Sequence, residues 1–158
     1  MVTAFKFSIN LQKNELFMLK LAIINGPNIN LTGHREPEIY GSTSFEDFML
    51  EINKAYPQVE MSYFQSNVEG ELINELHQKG FICDGIILNA GAYTHTSVAI
   101  ADAIKAIKAP VIEVHMSNIL SRESYRHTSL TGVNCIGSII GFGMKSYLLA
   151  VSYFTNNL

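Results

Sequence analysis

The side chains able to do chemistry collect where apolar runs end. The run 110–115, PVIEVH, carries Glu113 and ends in His115, followed by Met116, Ser117 and Asn118. The run 84–89 ends in Asn89, and His95 follows shortly after. The run 19–24 opens into NGPNINLTGHREPEIYG (25–41), which holds Asn28, His34, Arg35 and Tyr40, and Arg122 and Arg126 come soon after the fourth run. A histidine can donate or accept a proton near neutrality. A tyrosine, with an ordinary pKa near ~10, is a poor base until a neighbouring guanidinium favours its phenolate. Arg35 and Tyr40 share one long connection, so its closure could bring them together and exclude water. The same two residues also fit a plain loop, with Tyr40 as an apolar anchor and Arg35 in solvent, and residue types alone leave both readings open. Asparagines are common in turns, and a lone histidine beside a strand is most often a satisfied cap. Two histidines, two asparagines and several arginines converging after different strands favour a site for an anionic small molecule. His34 is assigned no chemistry.

Familiar alternatives lack their motifs. There is no GxGxxG after the first run and no GxxxxGK[ST], which removes the main support for dinucleotide and P-loop binding. A GxSxG elbow is absent. No lysine stands at a strand end for a Schiff base. Neither Cys83 nor Cys135 belongs to a CxxC, and the histidines lack a metal-ligand spacing, so both cysteines read as buried thiols in a reduced compartment. A formal charge of −3 without a basic run argues against a broad nucleic-acid surface. No stretch reads as transmembrane, because Gly141, Gly143 and Lys145 break the apolar C-terminal segment.

These residues need elements to position them. With 158 residues, 47% of them hydrophobic, the chain fits one domain with a substantial core. Strands are expected at 19–24, 59–65, 84–89, 110–115 and 132–140. Helices are expected at 44–56, 67–80, 96–108 and 143–155, with a short helical turn at 119–127. Thr43 or Ser44 can cap the first helix, and Thr43 with Glu46 matches a capping box. Strands alternating with helices predict an α/β fold with a parallel sheet covered on both faces. Five strands suggest a flavodoxin-like, doubly wound, three-layer α/β/α arrangement, with order 2-1-3-4-5 by analogy. In such sheets ligands bind beyond the carboxyl ends of the strands, which is where the polar residues lie. Residues 1–17 lack the features of a signal peptide, and Met18 immediately precedes the first strand. The expected organisation is therefore a 1–17 extension, outside the functional start at Met18, and a single catalytic domain over 18–158.

Four blocks carry a family resemblance: NGPNINLTGHREPEIYG, FQSNVEGELIN, ILNAGAYTHTSVAIADA and VIEVHMSNILSRESYRHTS. In this order they resemble the signature blocks of type II 3-dehydroquinate dehydratase over roughly residues 18–155. The resemblance implies an anti elimination of water from 3-dehydroquinate through an enolate, giving 3-dehydroshikimate, in the shikimate pathway or quinate breakdown. It implies a cytoplasmic lyase with no metal or organic cofactor and no nucleic-acid or membrane partner. It also implies a homo-oligomer, a dodecamer built from trimers. Position by position, Tyr40 matches the general base, Arg35 the arginine that favours its phenolate, and His115 the general acid, with Glu113 placed to orient the imidazole. Asn28 matches the residue that helps hold an enolate-stabilising water. Asn89 and His95 match hydroxyl-binding positions. Met116 and Ser117 match the pair whose amides meet the substrate carboxylate, and Arg126 another substrate-binding position. Asp102 matches a residue that reaches the site of a neighbouring subunit. Ile29 stands where Leu is usual and Ala90 where Pro often follows the asparagine, and neither change removes a chemical group. Two competing readings are an anion-binding domain without catalysis and a flavin electron carrier. The first needs no base and acid, and the second would show in a coloured protein.

Overall fold

Alternation along the strands decides which side of the sheet each residue covers. The computed structural model describes residues 18–33 and 43–157. Its strands are β1 (Leu19–Asn25), β2 (Val59–Gln65), β3 (Gly85–Asn89), β4 (Val111–His115) and β5 (Gly137–Ile140). They form one five-stranded sheet in the order β2-β1-β3-β4-β5, parallel throughout. The helices are α1 (Phe45–Ala55), α2 (Glu69–Lys79), α3 (Val98–Ala106) and α4 (Lys145–Asn157). Leu21, Ile23, Ile87, Ile112 and Val114 pack under α1 and α4, against Phe45, Phe48, Ile52, Val151 and Phe154. The intervening residues Ala22, Ile24, Ile86, Leu88 and Val111 pack on the other face, against Leu72 and Leu76 of α2 and Ile100 and Ile104 of α3. That two-residue period, with apolar side chains on both phases, is what makes the central strands continuous hydrophobic runs. The expected α/β/α layering and strand order are what the structure has.

Two local expectations need correction. The fifth strand is shorter than 132–140: Gly132–Asn134 is a 3-10 turn, and only Gly137–Ile140 pairs with β4. The turn keeps residues 131–132 beside the buried carboxylate of Glu113 instead of passing alongside it in extended form. Of the two expected caps for α1, Ser44 is the one used, in place of the Thr43–Glu46 capping box. The Ser44 hydroxyl accepts from the Asp47 amide at 3.1 Å and donates to the Asp47 carboxylate at 2.8 Å, a side-chain cap one residue later than the capping-box pattern suggested. The 119–127 segment holds two 3-10 turns, Ile119–Ser121 and Ser124–Arg126. Among the described residues no helix is long and apolar enough to cross a membrane.

The winding of the sheet switches sides between β1 and β3: β2 is added on one side of β1, and β3, β4 and β5 on the other. There Asn25 pairs in register with Asn89, and the Gly26 amide donates to the Asn89 carbonyl at 2.7 Å. A Cβ on Gly26 would sit 2.4 Å from the Ala90 carbonyl oxygen, so only glycine lets the two loops leave the sheet side by side. Such a switch point forms a crevice at the carboxyl edge.

Candidate active site

A cavity of about 160 Å³ opens at this crevice. Asn28, Asn89, His95, His115, Met116, Ser117 and Arg126 all line it, together with Arg122. Each is held by the element before it. Asn28 adopts the left-handed region (φ 67°), which asparagine tolerates better than most residues, and its amide donates to Asn67 Oδ1 at 2.9 Å. The loops after β1 and β2 are thus tied together, with Gln65 Nε2 donating to the Gly26 carbonyl at 3.2 Å.

Asn89 is fixed from beneath. Its Nδ2 donates to the Tyr147 hydroxyl at 2.8 Å, and its Oδ1 accepts from the Gly91 amide at 3.2 Å. Tyr147 in turn donates to Asn25 Oδ1 at 2.9 Å. Tyr147 is fully buried, and burial pushes its phenol far above the ordinary value, so it remains a neutral donor at any working pH. With both ends of the Asn89 side chain occupied, the amide cannot flip without losing two bonds.

His95 Nδ1 lies 2.8 Å from the Thr128 carbonyl, so it is the donor there, and Nε2 carries the lone pair while the ring is neutral. Its ring stacks on that of His115, with centroids 6.1 Å apart and planes 20° from parallel. His115 is 5% exposed. Its Nε2 lies 3.3 Å from Glu113 Oε1, an ion-pair distance without hydrogen-bond alignment. Glu113 and His115 are two apart on one strand and so project to the same face. Burial alone would raise the Glu113 carboxyl. The contact with His115, its charge when protonated, and the Ser129 and Thr131 hydroxyls outweigh it and bring the carboxyl down to about 2. An anion therefore stands behind the imidazole throughout the neutral range. The β4 end is braced from β5 and α4: the His115 carbonyl accepts from the Gly141 amide (3.0 Å) and the Ser146 hydroxyl (3.2 Å), and the Met116 carbonyl accepts from the Gly143 amide (2.9 Å).

Positive charge enters from the 3-10 turns. Arg126 Nε donates to Glu123 Oε2 at 2.8 Å, Arg122 Nε lies 3.6 Å from the same oxygen, and the Arg126 guanidinium sits 5.1 Å from the Tyr125 ring centre. One exposed carboxylate shared by two guanidinium groups leaves a net positive wall suited to an anion.

Glu113 supports the cavity from behind His115 and does not line it. Asp102 is exposed on α3 and is not part of the cavity wall. His34, Arg35 and Tyr40 lie outside the described residues, as does the 1–17 segment. Sequence reasoning missed Tyr147 and the hydroxyls around Glu113. A tyrosine on an otherwise apolar helix face was the only signal for the first, and the hydroxyl residues looked like ordinary loop composition.

A doubly wound α/β fold with a histidine–carboxylate pair, an oriented amide and two arginines around a small cavity holds the groups that acid–base chemistry on a compact anion would need. Comparison narrows that class. Residues 19–155 match the family model for dehydroquinase class II. The chain is 52% identical over 134 residues to a 3-dehydroquinate dehydratase of an Exiguobacterium species, covering 84% of this chain and 92% of that one. It is 49% identical over 144 residues to the 3-dehydroquinate dehydratase of Clostridium perfringens strain 13, covering 89% and 98%. A crystal structure of type II dehydroquinase from Butyrivibrio crossotus superposes with a TM-score of 0.83 at 41% identity, over 87% of this chain and 97% of that one. The chain belongs to the class II dehydroquinase family.

Proposed function

We propose that the chain is a 3-dehydroquinate dehydratase, a carbon–oxygen lyase that converts 3-dehydroquinate to 3-dehydroshikimate and water. The observation that carries this reading is His115, buried against an ionised Glu113 and facing a cavity it shares with Asn89, His95 and Arg126, in a chain of this family. Tyr40 removes the proton beside the ketone, with Arg35 favouring its phenolate. The developing enolate oxygen needs nearby donors, and Asn28 at the root of the loop helps hold a water for that purpose. His115 then gives its proton to the departing hydroxyl, which leaves as water. The imidazolium it needs is the form that Glu113 stabilises. Asn89 and His95 bind substrate hydroxyls, the Met116 and Ser117 amides meet the carboxylate, and Arg126 is a further substrate-binding residue. The reaction is an internal elimination and calls for no metal or organic cofactor.

The test is ultraviolet absorption of the conjugated enone formed from 3-dehydroquinate by purified protein. General acid–base groups contribute typically ~10²–10⁴-fold, so Tyr40→Phe and His115→Ala should each lower kcat by about that factor. Near-normal turnover in either variant removes that residue from its role. No turnover by wild-type protein at any pH overturns the proposal.

In line with the family resemblance, the working form is a homo-oligomer, a dodecamer of trimers, in the cytoplasm. The exposed position of Asp102, away from its own cavity, supports its use by a neighbouring subunit.

A further inference from the structure

Glu113 is 1% exposed in the middle of a parallel sheet, and an ionised carboxylate at such a position is costly unless it is paired and hydrogen-bonded. Among the described residues the only basic side chain in ion-pair contact with it is His115. Hydroxyls fill the remaining positions. Ser129 Oγ and Thr131 Oγ1 each donate to Oε1 at 2.7 Å, and Ser138 Oγ donates to Oε2 at 2.9 Å. They come from two directions: Ser129 and Thr131 from the turn before β5, and Ser138 from β5 itself, in register with Glu113. Steric room for the carboxylate comes from Gly132, where a Cβ would lie 2.6 Å from Oε2. The Gly132 amide donates to Ser129 Oγ at 2.8 Å, which leaves the Ser129 proton for Glu113.

We propose that Ser129, Thr131 and Ser138 are positioning residues for the elimination: their hydroxyls form a cage that favours Glu113 as the carboxylate and aims it at His115. The inference rests on the reading of His115 as the proton donor. Three donated hydrogen bonds favour the carboxylate, because a neutral carboxyl is a weaker acceptor and must also find an acceptor for its own proton. The cage therefore favours the anion by the strength and number of the bonds donated to it. No fixed positive charge is required, so the charge of Glu113 remains directed to the one imidazole whose protonation the reaction uses.

The other ionisable groups around the pair do not supply this anion. The Cys135 thiol, pushed up to about 12 by burial and by Glu113, stays neutral. His95 stacks on the ring of His115. Arg122 and Arg126 line the cavity and share Glu123.

The test uses Thr131→Val, which keeps shape and removes one donor, and Ser138→Ala on the edge strand. Each is examined by kcat and KM against pH and by carbon-13 NMR of the Glu113 carboxyl. Each variant should lose about tenfold in kcat with KM nearly unchanged. The Glu113 carboxyl titration should move up by about one pH unit. Thr131→Ser should restore both. A fall in activity with an unmoved Glu113 titration overturns the cage while leaving the dehydratase reading intact. The carboxyl titration needs no turnover, so it tests the cage even if wild-type protein proves inactive on 3-dehydroquinate. Should Thr131→Val fail to fold, Ser138→Ala decides the question by the same two readouts.

Discussion

Glu113 links the chemistry of a single residue to the stability of the fold. Its carboxyl falls from an ordinary 4.5 to about 2 in the folded protein. A lowered folded value means that the ionised group contributes stability above about pH 4.5, and that this contribution is lost as pH falls through about 2. Urea midpoints of wild type should therefore decline across that window. Glu113→Gln, which cannot titrate, should show a shallower decline there, and an equally steep one would assign the acid sensitivity to other groups. At this scale the sequence was partly legible. Asn89, His95, His115 and Arg126 could be named because strand ends face the crevice in any doubly wound sheet. Tyr147 could not, since helical spacing places it on an apolar face and says nothing about where its hydroxyl goes. The hydroxyls of Ser129, Thr131 and Ser138 were equally silent, because their common partner is set by turn geometry and strand register.

Between residues and the molecule stand the elements, and most of these were readable. Apolar runs bounded by Gly, Pro and Asn gave strands, and one-sided helical spacing gave the covering helices. Boundaries shifted where a local polar bond outcompeted the pattern: at the 132–134 turn, and at the start of α1. The cap of α1 has a measurable consequence. Ser44 satisfies the Asp47 amide and begins the helix whose first residue, Phe45, packs edge-on to Tyr147 at 5.1 Å between centroids. Ser44→Ala should lower stability by about 1 kcal/mol in denaturant unfolding, as loss of a cap usually does. A change within error would mean that packing of Phe45 alone fixes the start of α1.

At the scale of the whole molecule, large apolar side chains stay exposed on the isolated chain, among them Val98, Leu120, Tyr125, Val133 and Ile136. A surface of this kind suits the proposed assembly. If Asp102 serves a neighbouring cavity, then Asp102→Ala and His115→Ala protomers, each inactive alone, should regain part of the activity when refolded together. Recovery no greater than the sum of the separate preparations would confine each site to one chain. The Arg35–Tyr40 stretch was the most informative part of the sequence for function and lies outside the described residues, so its roles rest on family resemblance and on the kinetic variants.

Tyr147 joins Asn25 and Asn89 across two strands through one phenol, and it belongs to the final helix. The amide polarity at the cavity is thus written partly by a residue 58 positions further along the chain. A one-residue insertion near the start of α4 would rotate that phenol by about 100° and withdraw it from both amides. Neighbouring side chains could rebuild the apolar face, but Asn89 would be free to turn over. Such a protein could keep its fold and its His115–Glu113 pair and still lose its grip on the ligand's hydroxyls. Length changes in this helix should therefore register first in what the cavity recognises.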